Sequence, residues 1–166
     1  MPDERDDNPD DLESPPSFFP YGNEEDRLVR QSDLGEPVEV TVEGVFYAES
    51  NNNVQRFVLL SSGEKKLAIV IGLAEATSIS LPLEGNQPDR PMTHDLMKVI
   101  VERLEAEVTR ILIDDIWNKT YYAKVYLMFD GEEMEVDARP SDAIAIALRW
   151  DVPIYVLEGI FDRQDD

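Results

Sequence analysis

Residues 120–157 read TYYAKVYLMFDGEEMEVDARPSDAIAIALRWDVPIYVL. Thr120 to Phe129 is rich in β-branched and aromatic side chains, and Asp130-Gly131 separates it from a second run, Glu133 to Asp137. That dipeptide tolerates the left-handed backbone of a tight hairpin, so the two runs read as paired strands. The period then changes. Ala143-Ile144-Ala145-Ile146-Ala147-Leu148 is apolar on every side, which predicts a buried helix from Pro140 to Trp150. Pro153 to Leu157 returns to a strand pattern. A hairpin, a buried helix and a further strand decide the class: helices packed on a sheet whose strands arrive in runs.

The chain upstream extends this reading. Val38, Val40 and Val42 alternate with Glu39, Thr41 and Glu43, the pattern of a strand with one dry face. Asn51-Asn52-Asn53 is a turn signal. Phe57–Leu60 and Leu67–Ile71 read as strands joined around Ser62-Gly63-Glu64. The second is apolar throughout and is expected to be central, covered on both faces. A helix opens at Gly72 and runs to about Leu83, where Pro82 should kink or end it. Another spans Thr93 to about Glu105, with Leu96, Met97, Ile100, Val101 and Leu104 as one apolar stripe. Val108–Asp114 is a strand. The order β-β-β-α-α-β-β-β-α-β predicts an α+β domain with three helices and a mixed, largely antiparallel sheet.

Composition bounds the rest. At 166 residues the chain is long enough for one domain with a core plus a tail. Residues 1–36 carry many carboxylates with Pro2, Pro9, Pro15, Pro16 and Pro20, and are expected to be a disordered acidic tail. Its one apolar patch is Phe18-Phe19-Pro20-Tyr21. The folded domain is expected over residues 37–161, beginning near Val38, with a short acidic end at 162–166. No cysteine is present, which excludes disulfides and thiol chemistry and fits a reducing compartment. The start resembles no signal peptide, and no apolar run is long enough to cross a bilayer. A cytoplasmic protein without membrane contact is the expectation.

The formal net charge is −21. A field of that sign repels nucleic acid and anionic membranes. Asp and Glu dominate while lysine is scarce, a balance that suits a high-salt habitat. Within this acidic background two stretches echo each other. Arg90-Pro91-Met92-Thr93-His94-Asp95-Leu96 and Arg139-Pro140-Ser141-Asp142-Ala143-Ile144 each set an Arg-Pro pair, a hydroxyl and an aspartate at the mouth of a helix. Proline suits a helix start because its missing N–H has no helical partner there. Hydroxyl and carboxylate side chains accept from the free N–H groups and complement the helix dipole.

These residues resemble a known family. Ile71-Gly72, Glu75-Ala76, Leu83-Glu84-Gly85, the stretch Arg90 to Leu96, Tyr122-Ala123, the stretch Val136 to Ala145 and Pro153-Ile154 stand in the order of the bifunctional nuclease domain family. The resemblance covers about residues 38 to 160, and Asp137-Ala138-Arg139-Pro140-Ser141-Asp142-Ala143 is its most specific part. It implies a compact α+β domain, often dimeric, acting as a nuclease on DNA and RNA. It assigns no catalytic set.

Phosphodiester hydrolysis needs an activated water and charge neutralisation at the phosphate, which a divalent metal held by carboxylates supplies. Magnesium or manganese would take Asp95, Asp137, Asp142 and Glu75 as hard oxygen ligands. His94 is the only histidine, the side-chain type that ordinarily titrates near neutrality, and is a candidate general acid or base. Arg139 and Arg90 are candidates for clamping a phosphate. The candidate catalytic group is thus His94, Asp95, Asp137, Arg139 and Asp142, with no organic cofactor, since no Gly-rich phosphate loop is present.

Each residue also has a plain structural reading. Asp142 and Asp95 would cap helices, Asp137 and Arg139 would pair at a corner, and Glu75 would be solvated. A Ser141-His94-Asp95 assembly is disfavoured, because side chains one apart on a helix diverge. Tyr121, Tyr122, Tyr126 and Phe129 offer stacking surfaces for bases but suit a sheet core or a subunit interface better. The leading expectation is a metal-assisted nuclease with nucleic acid as its partner. The alternative is a non-enzymatic binding or scaffold module, favoured by the acidic charge. Homo-oligomerisation, as a dimer, is expected from apolar strands and edges that need cover.

Overall fold

A computed structural model describes residues 29, 31–50 and 53–164. Most of the expected acidic tail, the Phe18–Tyr21 patch and Asp165 and Asp166 lie outside them. The strands are β1 (Pro37–Ser50), β2 (Asn53–Ser62), β3 (Lys65–Ile71), β4 (Glu107–Trp117), β5 (Thr120–Phe129), β6 (Glu132–Ala138) and β7 (Ile154–Leu157). The helices are α1 (Leu73–Leu83), α2 (Thr93–Arg103) and α3 (Pro140–Trp150). The fold is α+β, and the element order is the expected one.

All seven strands form one sheet in the order β3-β2-β1-β7-β4-β5-β6. Only the β4–β7 pair is parallel. The long β1 joins the two halves: Pro37–Val40 pairs with β7, while Thr41–Ser50 pairs with β2, with a register shift between Val42 and Gly44. The Asp130-Gly131 turn has both residues at positive φ, 50° and 79°, as the hairpin reading requires.

Helix α3 is the centre of the core. Ala143, Ile144, Ala145, Ile146 and Ala147 are all buried. Small residues alternate with isoleucine, so the helix can lie close to both the sheet and α1. It starts with Pro140 at its first turn and stops at Asp151, which takes the left-handed conformation at φ 55°.

One expectation is corrected. Strand β3 is not central: it is the sheet's edge, with Leu67, Ile69 and Ile71 buried but Val70 61% exposed. A short apolar run does not reveal whether one face or two are covered. The apolar stripe of α2 is divided: Leu96, Ile100 and, just past the helix, Leu104 are each more than half exposed, while Met97 and Val101 line a groove and His94 is the helix's buried residue. Upstream of β1, Leu34 packs against the domain. Leu34 is fully buried, and its carbonyl accepts from the Gly159 N–H at 2.7 Å. A Cβ at Gly159 would come within 3.0 Å of the Leu34 backbone, so glycine permits this docking. Among the described residues, no helix is long and apolar enough to cross a membrane.

Candidate active site at the junction of three helices

The two Arg-Pro helix starts meet. His94, in the first turn of α2, places its Nε2 3.1 Å from Asp142 Oδ1 in the first turn of α3. Its Nδ1 lies 2.7 Å from Ser78 Oγ on α1. One imidazole therefore ties all three helices together. An ionised carboxylate only accepts, so Nε2 donates to Asp142; the neutral ring then accepts the Ser78 hydroxyl proton at Nδ1. Ser78 is 4% exposed, which leaves its hydroxyl a tether and not an open nucleophile.

Asp142 is also gripped by Arg139, which donates from Nε to Oδ2 at 2.7 Å and from Nη2 to Oδ1 at 3.2 Å. Arg139 then reaches α1, donating from Nη1 to Glu75 Oε1 at 3.2 Å. Burial by itself would raise the Asp142 carboxyl; the Arg139 hydrogen bonds and charge, joined by His94, outweigh it and hold the carboxyl below its usual range. The same hydrogen bond with Asp142 strengthens the hold of Arg139 on its proton. The Arg139 side chain is nonetheless 66% exposed, so its outer edge faces solvent. Glu75 folds back over the start of α1, where a Cβ on Gly72 would collide with its carboxylate.

Asp95 goes elsewhere. One oxygen caps α2, accepting from the Met92 N–H at 2.8 Å. The other accepts from Arg149 Nε at 2.6 Å, near the far end of α3. Arg149 is seven residues beyond Asp142, about 10 Å along a helix axis. Burial would raise the Asp95 carboxyl, but Arg149 and the Met92 N–H more than reverse this and lower it. Arg149 Nη1 also donates to the carbonyl of Ser78 at 2.9 Å. That carbonyl lies four residues before Pro82, which has no N–H to offer it. The proline accordingly sits in the last turn of α1, which ends at Leu83.

A groove of about 990 Å³ opens beside the His94–Asp142–Arg139–Glu75 cluster. Asp137, exposed at the end of β6, lines it too, with Val125, Leu127 and Val136 as its apolar floor. The structure thus brings together His94, Asp137, Arg139, Asp142 and Glu75 around one groove, and not Asp95. Arg90 is exposed in the loop before α2 and does not line it. The sequence reading missed Ser78 and Arg149. Pro82 was the available signal for both, since it frees the Ser78 carbonyl.

The expected convergence of Asp95, Asp137 and Asp142 does not occur. No group of three or more Asp, Glu or His side chains among the described residues is arranged to hold a metal ion. Magnesium is commonly bound by one or two carboxylates together with substrate phosphates; Asp142 and Glu75 are the two carboxylates that Arg139 bridges at the groove.

The model of the bifunctional nuclease domain matches residues 58–165. The chain belongs to the bifunctional nuclease domain family. An uncharacterised protein of Mycobacterium tuberculosis is 39% identical over 122 residues, which cover 74% of this chain and 73% of that protein. Bifunctional nuclease 1 of Oryza sativa subsp. indica is 35% identical over 104 residues, covering 60% of this chain and 31% of the relative. Bifunctional nuclease 2 of Arabidopsis thaliana is 30% identical over 106 residues, covering 54% and 32%. The chain thus spans about a third of the plant nucleases' length.

Proposed function

We propose that this protein hydrolyses phosphodiester bonds in DNA or RNA at the Asp142–Arg139–Glu75 junction. The observation that carries the reading is the exposed guanidinium of Arg139, held between two carboxylates at the mouth of a groove, in a chain of this family. Arg139 engages a non-bridging phosphate oxygen with its free edge. Asp142 takes a proton from the attacking water as its oxygen bonds to phosphorus; the P–O bond to the leaving sugar oxygen breaks, and that oxygen takes up a proton from solvent. His94, tied to Ser78, fixes the Asp142 carboxylate and acts as a positioning residue. A divalent ion such as Mg²⁺ or Mn²⁺, held by Asp142 and Glu75 with the substrate phosphate, would supply charge neutralisation and a more acidic water. The absence of cysteine fits action in the cytoplasm.

The test is cleavage of labelled single-stranded DNA and RNA by tag-free protein, with Mg²⁺ or Mn²⁺ and then with excess EDTA. Asp142→Asn and Arg139→Gln are each expected to lower kcat at least ~100-fold, the scale of losing a general base or a phosphate clamp. Cleavage that neither substitution alters would remove the site from the protein's chemistry. The rival reading is a non-enzymatic binding module. Both His94 nitrogens are occupied within the protein, and the net charge of −21 opposes nucleic acid, which favours that rival. A wild-type protein that cleaves neither polymer with either ion would establish it.

A further inference from the structure

A second cleft, of about 680 Å³, lies on the other side of Arg139. It is bounded by β3, by the tip of the β4–β5 hairpin, by the start of α3 and by the turn at Arg163. Its charge runs against the whole molecule. Lys119, Arg139 and Arg163 line it, and Glu75 is the one acidic side chain among its walls. Every other lysine of the chain, Lys65, Lys66, Lys98 and Lys124, sits in an ion pair with a carboxylate. Lys119 and Arg163 have no such partner among the described residues. In a chain of net charge −21, two cations without carboxylate partners stand beside a third here and make this cleft locally positive, which favours an anion.

Two further features point to the same ligand. Pro140 and Ser141 bring the N-terminal end of the eleven-residue helix α3 into the cleft wall, where backbone N–H groups and the helix dipole favour negative charge. Ser141 is 8% exposed, and among the described residues its hydroxyl has no hydrogen-bond partner. A hydroxyl that lines a cleft and is not engaged by the protein can donate to a bound oxygen. Lys119 adds a structural oddity. With Asn118 it forms the tip of the β4–β5 hairpin, at φ 49° and 61°. Glycine fits the second position of such a turn best, and lysine occupies it at a backbone cost. The two-residue turn places the lysine at the rim of the cleft.

We infer that this cleft binds a phosphate group of a single-stranded nucleic acid, between Lys119, Arg163 and Arg139 and against Ser141 at the start of α3. The strand identity rests on the nuclease reading; the phosphate chemistry does not. Arg139 and Glu75 line both this cleft and the groove beside Asp142, so a strand that crosses Arg139 places neighbouring phosphates on either side of it.

Binding is measured in EDTA, without turnover, by fluorescence anisotropy of a labelled single-stranded 12-mer, with inorganic phosphate and AMP as competitors. The variants are Lys119→Gly with Arg163→Gln, and separately Ser141→Ala. Lys119→Gly installs the preferred hairpin residue, so the melting temperature should hold or rise while binding weakens. The double variant is expected to bind at least ~10-fold more weakly at low salt, and the slope of log Kd against log salt should fall by ~0.7 per cation removed. Ser141→Ala is expected to weaken binding ~3- to 10-fold, as for one lost hydrogen bond. Binding of the 12-mer by the double variant within twofold of wild type overturns the proposal. Binding of phosphate or AMP without binding of the 12-mer overturns the strand assignment. If wild type binds through this cleft but cleaves nothing, the nuclease reading fails and the cleft stands. If wild type cleaves while the double variant binds normally, the reverse holds.

Discussion

Asp142 has two roles that pull in the same direction. It is the carboxylate closest to any proposed chemistry, and it is the anchor for Arg139 and His94. Its lowered carboxyl makes it a source of stability with a definite pH window. A group depressed on folding contributes fully above its unfolded value, near 3.9, and loses that contribution as pH falls through the folded value. Asp95, lowered by Arg149 and the Met92 N–H against the effect of burial, acts with the same sign. Protonating the many scattered carboxylates works the other way, because it relieves mutual repulsion. The difference between variant and wild type isolates the specific term. Urea midpoints followed from pH 6 to pH 3 should fall more steeply for wild type than for Asp142→Asn. Parallel curves would mean that Asp142 carries no folding-linked shift. The residue types at this site were legible in the sequence, because helix starts and Arg-Pro pairs announce themselves locally. Their pairing was not: His94 and Asp142 are 48 positions apart, and only the packing of α2 on α3 makes them neighbours.

Among elements, the tie between α1, α2 and α3 turns on a proline. Pro82 leaves the Ser78 carbonyl without its helical donor, and Arg149 supplies one while also holding Asp95. The Arg149 side chain is 6% exposed, so removing it strands the Ser78 carbonyl and leaves the half-buried Asp95 carboxylate with the Met92 N–H but no cation. Arg149→Met should cost about 3 kcal/mol, the low end for a buried pair because Asp95 retains some solvent. In a Pro82→Ala background the new N–H can reach the Ser78 carbonyl, and the same substitution should cost about 1 kcal/mol less, one net hydrogen bond. Chemical denaturation of the four proteins closes the cycle; additivity within ~0.5 kcal/mol would refute the coupling. The elements themselves were largely readable. Helix α3 is apolar all round and is buried all round. Strand β3 is equally apolar but lies at an edge, because residue type says nothing about how many layers pack on a strand. The apolar stripe of α2 was likewise visible as a period, without its division between groove and solvent.

At the scale of the whole molecule, that stripe and the charge oppose each other. Leu96, Val99 and Ile100 on α2 and Leu104 just beyond it are exposed, as is Met134 on β6, which is a sheet edge. An apolar helix face and an open edge on one domain favour association with a second copy, and we propose a homodimer through them. Bringing two chains of −21 together costs electrostatic work that salt removes, since the screening length falls from about 10 Å at 0.1 M to about 3 Å at 1 M. The same screening relieves repulsion within each chain, so the melting temperature should also rise with KCl, as a high-salt habitat would demand. Light scattering at fixed protein concentration should show a dimer fraction that grows from 0.05 to 1 M KCl. Ile100→Glu with Leu104→Lys should give a monomer at every salt concentration, with a melting temperature close to wild type because neither side chain is in the core. A wild-type protein that stays monomeric at ~100 μM and 1 M KCl would exclude the dimer, since hydrophobic association unopposed by charge is then at its strongest.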